Sequence, residues 1–258
     1  MRKVMRILLW LVLIGWMTVM TGFIGKTADA ELCKEIHIEV SDSADLKFVT
    51  AEMVRDMLEE SAFELQGYPV MEINTRELET LLLRNEYVKE AEVFVNVEGD
   101  LKIELNQRKA LMRIMPREGN GMYVDEEGFV MSLSETYAPL ILPVTGYVEL
   151  ETRETDDGLK VDVESGEEMA ALMDFAAFVQ QDPFWSTQIV QVYKGKKGDY
   201  EIIPRVGAHQ IVVGELANFE EKLRNLKLLY EQGLEQYGWN TYNKINLKYS
   251  DQIICTKR

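Results

Sequence analysis

The sequence predicts an α+β protein: a single N-terminal transmembrane helix, then a β-α-α-β-β module and a mostly antiparallel β domain with helices. Three observations predict it. An unbroken apolar run sits near the N-terminus with cations ahead of it. The following stretch carries strand and helix periodicities in the order strand, helix, helix, strand, strand. From residue 111 onward short alternating segments dominate, interrupted by longer helical stretches. The expected divisions are residues 1–6 as a short cytoplasmic start, 7–25 as the membrane helix, 34–110 as the first module and 111–258 as the β domain.

Residues 7–24 (ILLWLVLIGWMTVMTGFI) form an uncharged run of 18 residues. At helical rise they reach about 27 Å, close to the roughly 30 Å of a hydrocarbon core. Arg2, Lys3 and Arg6 precede the run and Lys26 follows it, which predicts a cytoplasmic N-terminus and an exported remainder. Ala28-Asp29-Ala30 has the small-x-small form of a signal-peptide cleavage site, but the run exceeds the usual apolar length of such a peptide, so a retained anchor is the expectation. Cys33 follows Leu32, where a lipoprotein signal wants glycine or alanine.

In the first module, Ile36-His37-Ile38-Glu39-Val40 alternates as a strand. Thr50 caps a helix whose Met53, Val54, Met57 and Leu58 share one face. Gly67 and Pro69 then break the chain. Asn74 with Glu77 reads as a capping box ahead of Leu78, Leu81 and Leu82. Ala91, Val93, Val95 and Val97 alternate, Gly99-Asp100 turns, and Leu101, Ile103 and Leu105 alternate again, which predicts an antiparallel hairpin.

In the β domain, residues 122–130 read as strand, turn, strand. Ser165 and Glu168 are expected to cap a helix with Met169, Leu172, Met173 and Ala176 facing a core, ending before Pro183. Residues 188–193, 200–203 and 210–213 alternate as strands. Asn218 and Glu221 are expected to cap a helix carrying Leu223, Leu226, Tyr230 and Leu234, and residues 242–249 and 252–255 supply the last strands. Leu142-Pro143-Val144-Thr145-Gly146 spells a wall-sorting signal. That signal works ahead of a C-terminal apolar span, whereas 112 residues follow here, so a proline-containing strand and turn is expected.

Composition excludes several functions. With 28 Lys+Arg against 44 Asp+Glu the charge is −16, and residues 1–26 hold four cations and no acid, so the remainder carries −20. Nucleic acid would be repelled. Cys33 and Cys255 are too few for a zinc knuckle or a CxxC pair, and either pair with each other or stay free thiols. His37 and His209 alone leave few parts for a metal centre or a histidine-based dyad. Glu59-Glu60, Asp125-Glu126-Glu127 and Asp156-Asp157 have the chemistry for acid–base work, but a solvated acidic surface explains cap, turn and loop carboxylates more simply. No GxSxG elbow, P-loop or dinucleotide fingerprint occurs, and no catalytic, cofactor-binding or metal residue is expected.

The order of parts resembles the FtsQ/DivIB family of bacterial cell-division proteins, whose first exported module is a POTRA domain. Tyr87-Val88-Lys89-Glu90-Ala91-Glu92-Val93 with Leu101-Lys102-Ile103-Glu104-Leu105 is similar to the closing POTRA hairpin, although Glu98-Gly99-Asp100 replaces its usual proline. Tyr123-Val124-Asp125-Glu126-Glu127-Gly128 resembles the aspartate-x-x-glycine lead-in to the second domain, residues 142–146 its leucine-proline strand, and Ile245-Asn246-Leu247-Lys248-Tyr249 its last strand. Gln252-Ile253-Ile254-Cys255-Thr256-Lys257 and Cys33 resemble the Bacteroidetes branch. The resemblance implies a non-catalytic scaffold at the division septum, single-pass in the inner membrane with its bulk in the periplasm. It also implies FtsB- and FtsL-type bitopic partners, with septal wall synthases as further candidates. Nucleic acid, small-molecule substrates and cofactors are not implied.

By the same likeness, residues 244–254 form a C-terminal strand near an open sheet edge that accepts a partner strand. Lys248, Tyr249, Ser250, Asp251, Gln252 and Ile253 then fall at the partner face, with Tyr249 as an aromatic anchor. Lys196 and Lys197, on a neighbouring turn, would meet an acidic partner helix. The plainer reading makes Tyr249 a core or exposed strand residue and the lysine pair a solvated turn. A second membrane partner is expected at residues 36–40. Two other classes remain: a POTRA-containing transport or assembly component, for which a barrel's worth of strands is missing, and an exported hydrolase or sugar-binding protein, which cleavage after Ala30 would favour.

Overall fold

The computed structural model describes residues 10–19, 32–41, 46–61, 65–156, 158–162, 167–234, 236, 238–249 and 252–258. Residues 10–19 form helix α1, exposed along its whole length. Its hydroxyl residue Thr18 donates back to the carbonyls of Ile14 and Gly15 at 3.1 and 2.9 Å. The rest of the expected span lies outside the described residues, and among those described no helix is long and apolar enough to cross a membrane. The chain divides into two compact units, Met1–Gln107 and Arg108–Arg258.

The first unit runs β1 (Ile36–Val40), α2 (Ala51–Glu60), a 3₁₀ turn (Val70–Glu72), α3 (Thr75–Leu82), β2 (Val88–Val95) and β3 (Leu101–Gln107). Both helix starts follow from their caps. Thr50 Oγ1 accepts from the Met53 N–H at 3.2 Å, and Asn74 Oδ1 accepts from the Glu77 N–H at 3.3 Å. Val54 and Leu58 from α2 and Leu78 and Leu82 from α3 are buried, together with Leu101, Ile103 and Leu105 of β3. β3 is the central strand, parallel to β1 and antiparallel to β2. The expected hairpin forms, but its loop is longer than Gly99-Asp100. Asn96 Oδ1 accepts from the N–H groups of Glu98 and Asp100, at 2.9 and 2.8 Å, so β2 ends at Val95 and Val97 stands 99% exposed in the loop. Buried Gln107 accepts from the Val49 N–H and donates to the carbonyls of Ser41 and Leu46, which ties the lead-in of α2 to the end of β3.

The second unit contains β4 (Ala110–Pro116), β5 (Met122–Asp125), β6 (Val130–Ser132), β7 (Leu142–Gly146), β8 (Thr152–Thr155), β9 (Gly158–Val161), α4 (Glu167–Gln181), α5 (Trp185–Gln188), β10 (Ile189–Lys194), β11 (Tyr200–Pro204), β12 (Gln210–Gly214), α6 (Phe219–Leu229), β13 (Tyr242–Asn246) and β14 (Ile254–Lys257). Nine strands make one sheet in the order β14-β13-β12-β11-β10-β7-β4-β5-β6, and β8-β9 is a separate hairpin. The sheet is more mixed than expected, because β4-β7, β7-β10 and β12-β13 pair in parallel. Each of these links follows a long connection, which frees the chain to return in the same direction.

Register brings Met122, Ile114, Val144, Val192, Ile202, Ile211, Ile245 and Cys255 into one row across the sheet. That row belongs to the same core as Leu172, Phe175 and Ala176 of α4 and Leu223 and Leu226 of α6. Of the caps expected for α4 and α6, Ser165 lies outside the described residues, and Glu168 binds Lys194 Nζ at 2.7 Å and the Tyr200 hydroxyl at 2.8 Å, which fastens the first turn of α4 to β10 and β11. Burial opposes ionisation of Glu168, yet these hydrogen bonds hold its carboxyl below the usual range. Asn218 precedes α6 with a left-handed φ of 55° and makes no side-chain cap.

Residues 142–146 form the strand expected of them along their whole length, and the chain bends just past it at Tyr147. β7 is flanked on both sides, a poor place for proline. Its ladder with β10 begins only at Val144↔Val192, so Pro143 lies beyond the pairing that its missing N–H would interrupt. Gly146 has φ +103°, and a Cβ there would stand 2.3 Å from the Lys194 carbonyl.

Candidate partner-binding face

β13 pairs on one side with β12 in parallel and on the other with β14 antiparallel, so β14 is the outermost strand at this end of the sheet. This corrects the expectation of one strand over residues 244–254. β13 stops at Asn246, and the chain crosses a connection before β14 begins at Ile254. Alternation misled because Leu247, 1% exposed, still points inward and its N–H still reaches the Val212 carbonyl at 2.8 Å, although no ladder continues. Lys248, Tyr249, Gln252 and Ile253 therefore stand on the connection, while Ser250 and Asp251 lie outside the described residues.

Lys248 is the hinge of this face. Its N–H donates to Asn246 Oδ1 at 3.0 Å, and its ammonium reaches both carboxylate oxygens of Asp199, at 2.8 and 2.9 Å. The hydrogen bond that it donates to Asp199 raises the Lys248 pKa. Asp199 closes the turn between β10 and β11: the Gly195 N–H donates to its carbonyl at 2.9 Å, and Gly198 N–H donates to the Gly195 carbonyl at 3.0 Å. Lys196 and Lys197 are exposed on that turn. The ion pair thus joins the lysine turn to the segment carrying Tyr249, two places 49 residues apart at the paired side chains.

Room for this arrangement comes from Gly214 at the end of β12. It has φ +75°, and a Cβ there would come within 2.9 Å of Lys248 Cγ. Beneath, Lys222 of α6 donates to the carbonyls of Val213 and Glu215, at 3.1 and 2.6 Å; burial lowers its pKa. Asp199, Gly214 and Lys222 carried no sequence signal for this role, because only the strand order brings them to Lys248.

Tyr249 is 53% and Ile254 43% exposed, whereas Ile253 and Cys255 pack against the core. Cys255 is a free thiol whose pKa is raised by burial, and Cys33 is a free, buried thiol of the other unit. His37 lies near Glu35 and Asp100, at 3.7 and 3.9 Å. His209 is buried with Nε2 3.2 Å from the Tyr230 hydroxyl. Among the described residues no group of three or more His, Cys, Asp or Glu can hold a metal ion.

One carboxylate departs from the reading as solvated surface. Asp125 is 3% exposed and pairs at 3.1 Å with Arg108, itself 6% exposed. Its second oxygen accepts from the N–H groups of Glu127 and Phe129 at 2.9 and 2.7 Å, and the Gly128 N–H donates to its carbonyl at 3.1 Å with φ +83° at the glycine. The aspartate-x-x-glycine sequence is the tight turn from β5 toward β6.

A three-stranded β-α-α-β-β module followed by a large mixed sheet, whose last strand is paired on one side among the described residues, makes a two-part modular protein. The family comparisons give the particular case: a POTRA-like domain matches residues 31–106, and FtsQ/DivIB, C-terminal related, matches residues 109–256. The chain belongs to the FtsQ/DivIB family, and its domains are those of a division-associated scaffold. No curated protein matches it significantly.

Proposed function

We propose that the chain is a non-catalytic, bitopic divisome scaffold that engages FtsB- and FtsL-type partners by strand addition at its C-terminal edge, linking them to septal peptidoglycan synthesis. The observation that carries this reading is the position of β14, outermost in the sheet and next to the Lys248–Asp199 clasp. An added strand pairs its backbone with β14, Tyr249 supplies a rigid anchor, and Lys196, Lys197 and Lys248 attract an acidic partner helix. Ser250, Asp251, Gln252 and Ile253 complete the contact. The acceptor edge is the outer side of β14, since β13 is already paired on both sides. Anchoring through residues 7–25 in the inner membrane, with the bulk periplasmic, is supported by the exposure of the apolar side chains of α1 and by the internal bonding of Thr18.

Capture of an FtsB-type partner by the full-length chain tests the reading. Removal of residues 252–258 is expected to abolish capture, and Tyr249→Ala to weaken it by about tenfold. If the truncated chain keeps its fold by circular dichroism and captures the partner fully, strand addition at β14 is wrong.

A second contact rests on β1, the outer strand of the three-stranded sheet beside central β3. Its free side is proposed to recruit another membrane partner. A chain lacking residues 34–108 is expected to lose septal localisation, and normal localisation would remove this contact from the account.

A further inference from the structure

The nine-stranded sheet opens at a second place. β7 and β10 pair from Val144↔Val192 to Gly146↔Lys194, and the ladder does not extend back to Pro143. Pro143 has no N–H to offer, and β10 shifts register against β11 between Ile189 and Gln191, around Val190. Beside this open seam lies a cleft of about 530 Å³ whose lining includes Leu140, Leu142, Val179 and Val190 together with Arg113 and Arg205. Leu140 is fully exposed and Val190 is 41% exposed. In a chain of charge −16, the lining contains two arginines and no acid.

Among the lining residues, the buried Arg113 Nε has no partner among the described residues. Such an atom carries a desolvation cost that a ligand can relieve. Both guanidinium groups are already positioned, Arg113 by the Tyr123 hydroxyl at 3.0 Å and Arg205 by the Thr187 carbonyl at 2.7 Å.

We propose that this cleft docks an acidic segment of a partner protein, with an apolar side chain seated against Leu140 and Val190 and carboxylates meeting Arg113 and Arg205. The argument is one of charge complementarity: a segment rich in leucine and glutamate matches an apolar wall flanked by arginines, whereas a basic segment does not. The site is separate from the β14 edge and does not depend on strand addition there.

The probe is a fluorescent peptide of alternating leucine and glutamate, titrated against the full-length chain in phosphatidylcholine nanodiscs, with a leucine–lysine peptide as control. Leu140→Asp suits the test because this side chain is exposed, and the substitution leaves the core untouched. It is expected to weaken binding of the acidic peptide by at least about tenfold, as is the double variant Arg113→Gln, Arg205→Gln. Lys196→Glu with Lys197→Glu should leave that affinity within about twofold. The proposal is overturned if Leu140→Asp and the double variant both bind the acidic peptide as the parent does. It is equally overturned if sedimentation shows a dimer that Leu140→Asp dissociates, since the occupant would then be a second copy of this chain.

Discussion

The two ends of the nine-stranded sheet are finished in opposite ways. At the β6 end, Phe129 lies between the Arg108 guanidinium, 3.6 Å from its ring centre, and the Lys160 ammonium, 4.0 Å from it. A bridge between Phe129 and Lys160 and the bond from the Val161 N–H to the Gly128 carbonyl at 2.8 Å lay the β8-β9 hairpin over that edge. The Arg108–Asp125 pair is buried beneath. At the β14 end the last strand is short, largely exposed and paired on one side only among the described residues. Edge strands invite pairing with other chains, so proteins usually cover them. This one covers one edge with a hairpin and holds a charged clasp beside the other, which separates a covered end from the end proposed to bind a partner.

The comparison is broken most severely at Asp125. Asp125→Ala leaves Arg108 buried without its counter-charge and two backbone N–H groups without their acceptor. A loss of about 3–5 kcal/mol is expected in denaturant unfolding, with partner capture at β14 retained while the protein is folded. A smaller loss, above about 1 kcal/mol, is expected for Gly146→Ala, where left-handed backbone and a clash with the Lys194 carbonyl act together.

At the β14 end the same kind of change should leave stability nearly unaltered. Asp199→Asn frees Lys248 and removes an acid from beside the lysine turn, and the expected readout is faster association of an acidic partner with a steeper salt dependence, measured by stopped-flow. The unfolding midpoint should not move.

Much of the local structure was written locally. Thr50 and Asn74 announce α2 and α3 because a cap and its N–H lie three residues apart, and Leu101, Ile103 and Leu105 announce β3 because one face of it is buried. What stayed hidden depends on distant partners. Asp125 looked like a surface acid because nothing in its turn reveals Arg108, and Lys248 looked like a strand residue because Asp199 joins it only through the order of the sheet. The lysine turn and the C-terminal segment were each singled out from sequence. Their contact was not legible until β10, β11, β12 and β13 were placed side by side.

The smallest expected effect concerns pH. Burial lowers the pKa of His209 below its ordinary 6.5, so the unfolded chain takes up the proton first. Its contribution to stability is complete above 6.5 and declines as pH falls toward the lowered folded-state value. His209→Gln should flatten that slope in unfolding measured across pH, without affecting either edge of the sheet.

Hydrogen exchange with and without an FtsB-type partner tests the central claim most directly. Amides of Ile254–Lys257 are expected to gain protection on partner addition, while those of Val130–Ser132 at the covered edge stay as they were. Unchanged exchange in β14, or new protection at β6 instead, would contradict the account.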